Sequence, residues 1–253
     1  MTDCGEVGPE IWVPELSVVV PLHDEAGNIG SLIREITGAL RPETRFEIVC
    51  VNDGSRDGTE AVLQAARAEV PELRVLHHDR RSGQSAAVLS GVRLARGDWI
   101  ATLDGDGQDD PADLPSMIAL RDRTANRGPR LIIGRRKTRR DTLAKRWASR
   151  AANRIRRAVL DDGACDSGAG LKLLPRALFL EFPAFDHMHR YLPALAISRG
   201  APVLEHPVNN RPRASGRSHY GIIDRGLAGA VDLIGVAWLL HRTKRPLVTE
   251  DPG

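Results

Sequence analysis

The sequence predicts a doubly wound α/β fold built on a mostly parallel sheet. Two observations carry this expectation. Short, unbroken runs rich in Val, Ile and Leu alternate along the chain with segments whose apolar residues recur at helical spacing, the pattern of strand–helix–strand winding. Three of the apolar runs then end in acidic or polar clusters, "HDE" at 23–25, "NDGS" at 52–55 and "DGDGQ" at 104–108. A strand that is apolar on both faces belongs to a sheet covered on both sides. In such sheets ligands bind beyond the carboxyl ends of the strands, at the switch point, so different strands deliver acids to one crevice. The 253 residues allow one large domain, or a domain with an appendage.

The first strand is "LSVVVPL" (16–22), after which Ile29, Leu32, Ile33, Ile36 and Leu40 mark a helix with Asn28 as its N-cap. "FEIVCV" (46–51) is the second strand and "TEAVLQAARAEV" (59–70) the second helix. Between them "NDGSRDGT" turns the chain, with Asp57 suited to an Asx-turn. "LRVLHH" (73–78) is the third strand, "SGQSAAVLSGVRLA" (82–95) a helix entered through Ser-Gly, "WIATLD" (99–104) the fourth strand and "RLIIG" (130–134) the fifth. The later half is less regular; "APVLEHPVNN" reads as an edge strand limited by its prolines.

Charge is unevenly placed although the formal net charge is only +3. Acids gather near 104–113, whereas 121–157 is dense in Arg and Lys, so one region suits a cation and another an anion. The cysteines, Cys4, Cys50 and Cys165, are isolated. Neither a zinc knuckle nor a disulfide framework is indicated, and a reducing compartment is the simpler reading. The N-terminus has no basic region followed by an apolar one, so no signal peptide is expected. The late apolar segment Leu227–Leu240 has 14 residues and carries Asp232, whereas a membrane span needs roughly 20 apolar residues. With basic residues on both flanks, it is expected to be a helix that lies on a membrane surface, meets a partner, or docks on its own core.

The chemistry centres on "DGDGQ". If strand geometry continues past Leu103, Asp104, Asp106 and Gln108 share one side, while Gly105 and Gly107 leave the other side open to a ligand. Three hard oxygen donors suit Mg²⁺ or Mn²⁺ shared with substrate phosphates; the alternative is a solvated acidic turn that caps the next helix. Asp53, ending the second strand, can accept hydrogen bonds from a base or a ribose. "PLHDEAGN" follows the first strand without a GxGxxG, and no P-loop occurs, which argues against a nicotinamide cofactor.

The motifs "VVVPLHDEAGNI", "VNDGSRDGT", "GQSAAVLSG" and "LDGDGQDDP" resemble the inverting glycosyltransferases of family 2, which have the GT-A fold. "CDSGAGLKLLPR", "FDHMHRYLPAL" and "HPVNNRPRASGRSHYG" resemble the polyprenyl-phosphate branch, the group that includes dolichol-phosphate mannose synthase. The resemblance covers roughly 15–245. It implies a nucleotide-sugar donor, Mg²⁺ or Mn²⁺, and a polyprenyl-phosphate acceptor at the membrane, with mannose or glucose as the sugar. Carried over by position, Pro21, Leu22, His23, Glu25, Asp53, Gln84 and Asp104 bind the nucleotide-sugar, and Asp104, Asp106 and Gln108 hold the metal and diphosphate. Arg135 and Arg150 face the acceptor phosphate. Asp166 orients the acceptor, or acts as a base on a hydroxyl acceptor. Arg211, Arg213, Arg217 and Ser218 form a loop over the diphosphate. Gly105 and Gly107 stand where Ala and Leu are usual, His219 stands where Lys is usual, and many relatives carry two or more C-terminal membrane helices, where this sequence shows one short apolar segment.

The expected organisation is an N-terminal segment 1–14, a GT-A domain 15–220 and a helical tail 221–253. The expected location is cytoplasmic, peripheral on the inner membrane face. Two other readings stand beside this one: a soluble family 2 enzyme acting on a sugar or protein hydroxyl, and a noncatalytic nucleotide binder. Nucleic acid is not an expected partner, because Trp147 is the lone aromatic in the basic stretch.

Overall fold

The structure, a computed structural model, describes residues 13–124, 128–137, 154–163, 168–212 and 222–243, with the backbone alone described for 222–228. The strands are β1 (Leu16–Leu22), β2 (Phe46–Asp53), β3 (Leu73–His78), β4 (Trp99–Thr102), β5 (Leu131–Arg136), β6 (Lys172–Pro175) and β7 (Val203–Val208). They form one sheet in the order β3-β2-β1-β4-β6-β5-β7. β1 pairs in parallel with β2 and β4, β2 with β3, and β5 with β7, whereas β6 runs antiparallel between β4 and β5. The expected doubly wound, mostly parallel sheet is therefore present, with one reversed strand.

The period-2 alternation of a strand divides the core into two layers. Val18 and Val20 of β1 face α1 (Ile29–Leu40), α2 (Thr59–Glu69) and α4 (Leu114–Arg123), in a cluster with Ile33, Leu63 and Met117. Val19 faces the other layer, with Val88 of α3 (Gln84–Leu94), Phe179 of α6 (Arg176–Leu180) and Leu195 of α7 (Leu192–Ser198). The five apolar residues that marked α1 are all buried, but Asn28 is not the side-chain cap expected of it. It has no cap hydrogen bond, and its Nδ2 donates to Glu25 Oε2 at 2.6 Å. The amides of Asn28 and Ile29 instead bond the Glu25 carbonyl.

Two boundaries differ from expectation in ways that bear on the site. β4 stops at Thr102, before the acidic motif, and β5 runs on to Arg136. β7 is the edge strand expected of "APVLEHPVNN", with Pro207 opposite Arg135. A short helix, α5 (154–160), precedes β6. The late apolar segment lies in α8 (Ile222–Arg242), a 21-residue helix. Among the described residues no helix is long and apolar enough to cross a membrane.

Candidate active site

The carboxyl ends of β1, β2 and β4 lie side by side because those strands are parallel neighbours, with Leu22 opposite Asn52 and Val19 opposite Thr102. Pro21 and Leu22 close β1 and lead into His23, whose Nδ1 donates to the Asp53 carbonyl at 2.8 Å. The Glu25 amide donates to Thr59 Oγ1 at 2.9 Å, which draws the start of α2 toward this turn. Asp57 makes its expected Asx-turn, accepting from the Thr59 amide at 2.9 Å.

Asp53 is 3% exposed, and its two oxygens receive three internal donors: the amides of Ser82 and Gly83, each at 2.8 Å, and His78 Nδ1 at 2.7 Å. In this arrangement the carboxylate shapes the loop that enters α3. That loop delivers Gln84, whose Nε2 donates to Asp104 Oδ1 at 2.7 Å. The nucleotide-side residues expected from the sequence are thus gathered along one row of strand ends, with Gln84 bridging to the acidic motif.

The motif itself is a turn rather than a continued strand. Asp106 Oδ1 accepts from the Gln108 amide at 3.1 Å, and Gly107 adopts φ 71°, a left-handed conformation that suits glycine. The shared-face alternation expected of Asp104, Asp106 and Gln108 is corrected accordingly. Gly105 does not leave room for a ligand either; a side chain there would collide with Leu22. The chain turns because the pairing of β4 ends and the Gln108 carbonyl turns to the Arg211 amide at 2.8 Å.

Two further residues complete the cluster. Asp109, 4% exposed, lies against Asp104, and its Oδ2 faces the Asp104 amide at 3.5 Å. Burial first, and the Asp104 charge second, push its pKa up to about 7. Burial likewise raises Asp104, with the Asp106 charge adding and the cations Lys172 and Arg136 opposing. Lys172, 3% exposed, points its Nζ at the Ala169 carbonyl. A side chain at Gly170 would strike both the Asp109 and Asp104 carboxylates. Neither Asp109 nor Lys172 was read from the sequence as a site residue. The available signal for Lys172 is a cation within the apolar run "LKLLP".

Among the described residues no three His, Cys, Asp or Glu side chains converge as a closed metal cage. The donor set nonetheless fits a hard divalent cation of the open kind. Asp104 and Asp106 supply carboxylate oxygens whose mutual repulsion calls for positive charge, and Mg²⁺ ordinarily takes one or two carboxylates and completes its shell with substrate phosphates and water.

Of the basic residues, Arg135 lies exposed with Nε 3.9 Å from Glu205, while Arg136, on the opposite face of the strand, is the one whose charge acts on Asp104. Arg211, expected in a loop over the diphosphate, is held: it bonds Glu35 of α1, and its Nη2 donates to Asp110 at 2.5 Å. Arg150, Asp166, Arg213, Arg217 and Ser218 lie outside the described residues. The segment 185–191, within the motif "FDHMHRYLPAL", adds to the site a neighbour, His189, that was not among the expected site residues. His189 Nδ1 is hydrogen-bonded to Ser85 Oγ at 2.8 Å, and burial holds its pKa well below the usual range, so the ring is neutral.

A parallel sheet with one reversed strand, and an acidic turn after its fourth strand, place the protein in the class of GT-A-like folds. The chain belongs to glycosyl transferase family 2, whose family profile matches residues 17–182. It is 34% identical over 240 residues to a dodecaprenyl-phosphate galacturonate synthase of Rhizobium johnstonii, covering 92% of this chain and 69% of the relative. It is also 34% identical over 208 residues to an undecaprenyl-phosphate 4-deoxy-4-formamido-L-arabinose transferase of Pseudomonas paraeruginosa, covering 81% of this chain and 60% of that one. The chain thus spans less than two thirds of the second relative. Neither name carries the mannose or glucose expected from the sequence. Among solved structures, glucosyl-3-phosphoglycerate synthase from Mycobacterium tuberculosis, in complex with Mg²⁺ and uridine diphosphate, matches with TM-score 0.69 at 18% identity, covering 90% of this chain and 79% of that one. That likeness establishes the fold.

Proposed function

We propose that the protein is an inverting glycosyltransferase that moves a sugar from a nucleotide-sugar to a polyprenyl phosphate at the inner membrane surface. The observation that carries this reading is the Asp104–Asp106 turn at the switch point, joined to the nucleotide side of the crevice by Gln84. Both relatives named above are transferases or synthases of polyprenyl-phosphate sugars, which supports the acceptor class. The sugars in the relatives' names, galacturonate and a formamido-arabinose, support testing those donors ahead of mannose or glucose. Nucleotide complexes of the similar fold support a nucleoside diphosphate leaving group.

In this reading a phosphate oxygen of the acceptor attacks the anomeric carbon as the bond to the nucleoside diphosphate breaks. A phosphate monoester has its second pKa near 6, so at neutral pH the nucleophile is already dianionic and needs no strong base. Asp104 and Asp106 would hold the divalent cation, which when bound neutralises charge developing on the departing diphosphate. Gln84 fixes the rotamer of Asp104. Lys172 and Arg136 oppose, from within the cluster, the rise that burial and the Asp106 charge cause in Asp104.

The test is incubation of the pure protein with undecaprenyl phosphate, Mg²⁺ and a panel of donors: UDP-galacturonate, UDP-4-deoxy-4-formamido-L-arabinose, UDP-glucose and GDP-mannose. Sugar appearing in the organic phase supports the reading and identifies the donor. Transfer only to a water-soluble hydroxyl acceptor would replace it with the soluble-enzyme alternative.

A further inference from the structure

The helix α8 carries two apolar faces, and among the described residues only one is packed. Val236 is 2% exposed and packs with Leu160 of α5, Tyr191 and Ala194, joined by Leu233, Ala237 and Leu240. On the other side Val231, Ile234 and Trp238 are 65%, 70% and 63% exposed. At 100° per residue these three fall within an arc of about 60°, turned away from the packed seam, so they form a stripe rather than scattered surface residues.

The orientation of the helix is fixed by polar contacts on its buried side. His187 Nδ1 donates to Asp232 Oδ2 at 2.8 Å, and Tyr191 Oη donates to the Gly229 carbonyl at 3.2 Å. Asp232, which in the sequence argued against a span, is therefore engaged with the domain and lies outside the stripe. The neighbouring α5 adds exposed Ile155 and Val159, together with exposed Arg154 and Arg157. The stripe runs toward the exposed His241 and Arg242, and the sequence continues with Lys244 and Arg245. The loop that latches α8 also bonds Ser85, the neighbour of Gln84 in the candidate site, through His189, so stripe and site are attached to one segment.

We infer that the exposed face of α8, with the adjacent face of α5, is the surface by which this protein docks on an anionic lipid bilayer. The stripe enters the interface while the basic residues remain among the headgroups. An apolar strip flanked by cations is the combination that interfacial helices use, and each cation near an anionic leaflet adds attraction that salt screens. No spanning helix is required. The inference rests on the lipid-acceptor reading for its purpose, but its test uses no substrate, so the two can fail separately.

The test uses the full chain with phosphatidylcholine vesicles, with and without phosphatidylglycerol, at low and high salt. Wild type is expected to cosediment with the anionic vesicles, to release in high salt or alkaline carbonate, and to show Trp fluorescence quenched by brominated lipid. The triple variant Val231→Ser, Ile234→Ser, Trp238→Ser should lose binding at least ~10-fold while keeping its circular dichroism. Trp238→Phe should lose most of the quenching and keep binding. Leu94→Ser, which alters an exposed leucine on α3, serves as the control and should bind as wild type does. Four results would overturn the inference: no binding by wild type, unchanged binding by the triple variant, carbonate-resistant insertion, or a concentration-dependent dimer that the triple variant abolishes.

Discussion

Asp104, Asp106 and Asp109 crowd into a turn where burial and mutual repulsion raise Asp104 and Asp109. Asp106→Ala should lower transfer by ~100-fold or more, since charge stabilisation of the leaving group is the main service asked of the site. Steady-state rates across a Mg²⁺ titration would check this, and activity above a tenth of wild type in limiting Mg²⁺ would contradict it. Gly170→Ala places a methyl group against two carboxylates. It should cost about 1–3 kcal/mol of stability, as overpacking does, and abolish the metal response in thermal shift. Asp109 gives a pH signature opposite to that of most acids. Its pKa is raised in the folded state, so the folded protein takes up a proton. Its contribution is fully present below the unfolded value near 4 and is lost as pH climbs toward 7. Asp57 and Glu72, whose values are lowered, lose stability as pH falls and so work in the opposite direction. The wild-type melting temperature in EDTA, taken relative to Asp109→Asn, should therefore decline between about pH 4 and 7. A flat or rising difference would contradict the assignment.

At the level of elements, α8 is held to the domain by the His187–Asp232 contact as well as by Val236. Asp232→Ala should lower the melting temperature by roughly 2–4 °C, for a partly exposed pair worth about 1 kcal/mol, and should speed proteolysis within α8. Unchanged proteolysis would mean that packing alone holds the helix. Strands β1 to β3 and helices α1 to α3 were legible in the sequence, because each is a short run with a clean period and a polar end. The end of β4 was not legible, since apolar patterning marks where a strand is buried and says nothing of where its ladder stops. β6 was missed for a related reason: Lys172 interrupts a four-residue run whose burial depends on neighbours distant in sequence. Arg211 was expected, from the family resemblance, in a loop over the diphosphate. Its anchors, Glu35 and Asp110, come from α1 and the segment before α4, and no local pattern announces such a pairing. The candidate site was legible in its strand-end residues, whereas Asp109, Lys172 and His189 became visible only through tertiary contact.

At the level of the whole molecule, winding order does the positioning. Parallel β1, β2 and β4 bring their polar ends into one row, and antiparallel β6 inserts Lys172 beside them. The strand-end residues expected to face a nucleotide, the acidic turn and the segment that latches α8 are tied together through Gln84 and Ser85 of α3. This arrangement suits a water-soluble donor meeting an acceptor whose phosphate sits at a bilayer surface. Chelation by EDTA should stop transfer and Mn²⁺ or Mg²⁺ should restore it; activity indifferent to chelation would remove Asp104 and Asp106 from the proposed role. The most direct measurement is NMR of the lipid product made from a donor of known anomeric configuration. Single displacement by a phosphate oxygen predicts a sugar joined through its anomeric carbon to one phosphate, with configuration opposite to the donor's. Retained configuration, or a sugar joined to a hydroxyl instead of a phosphate, would contradict it.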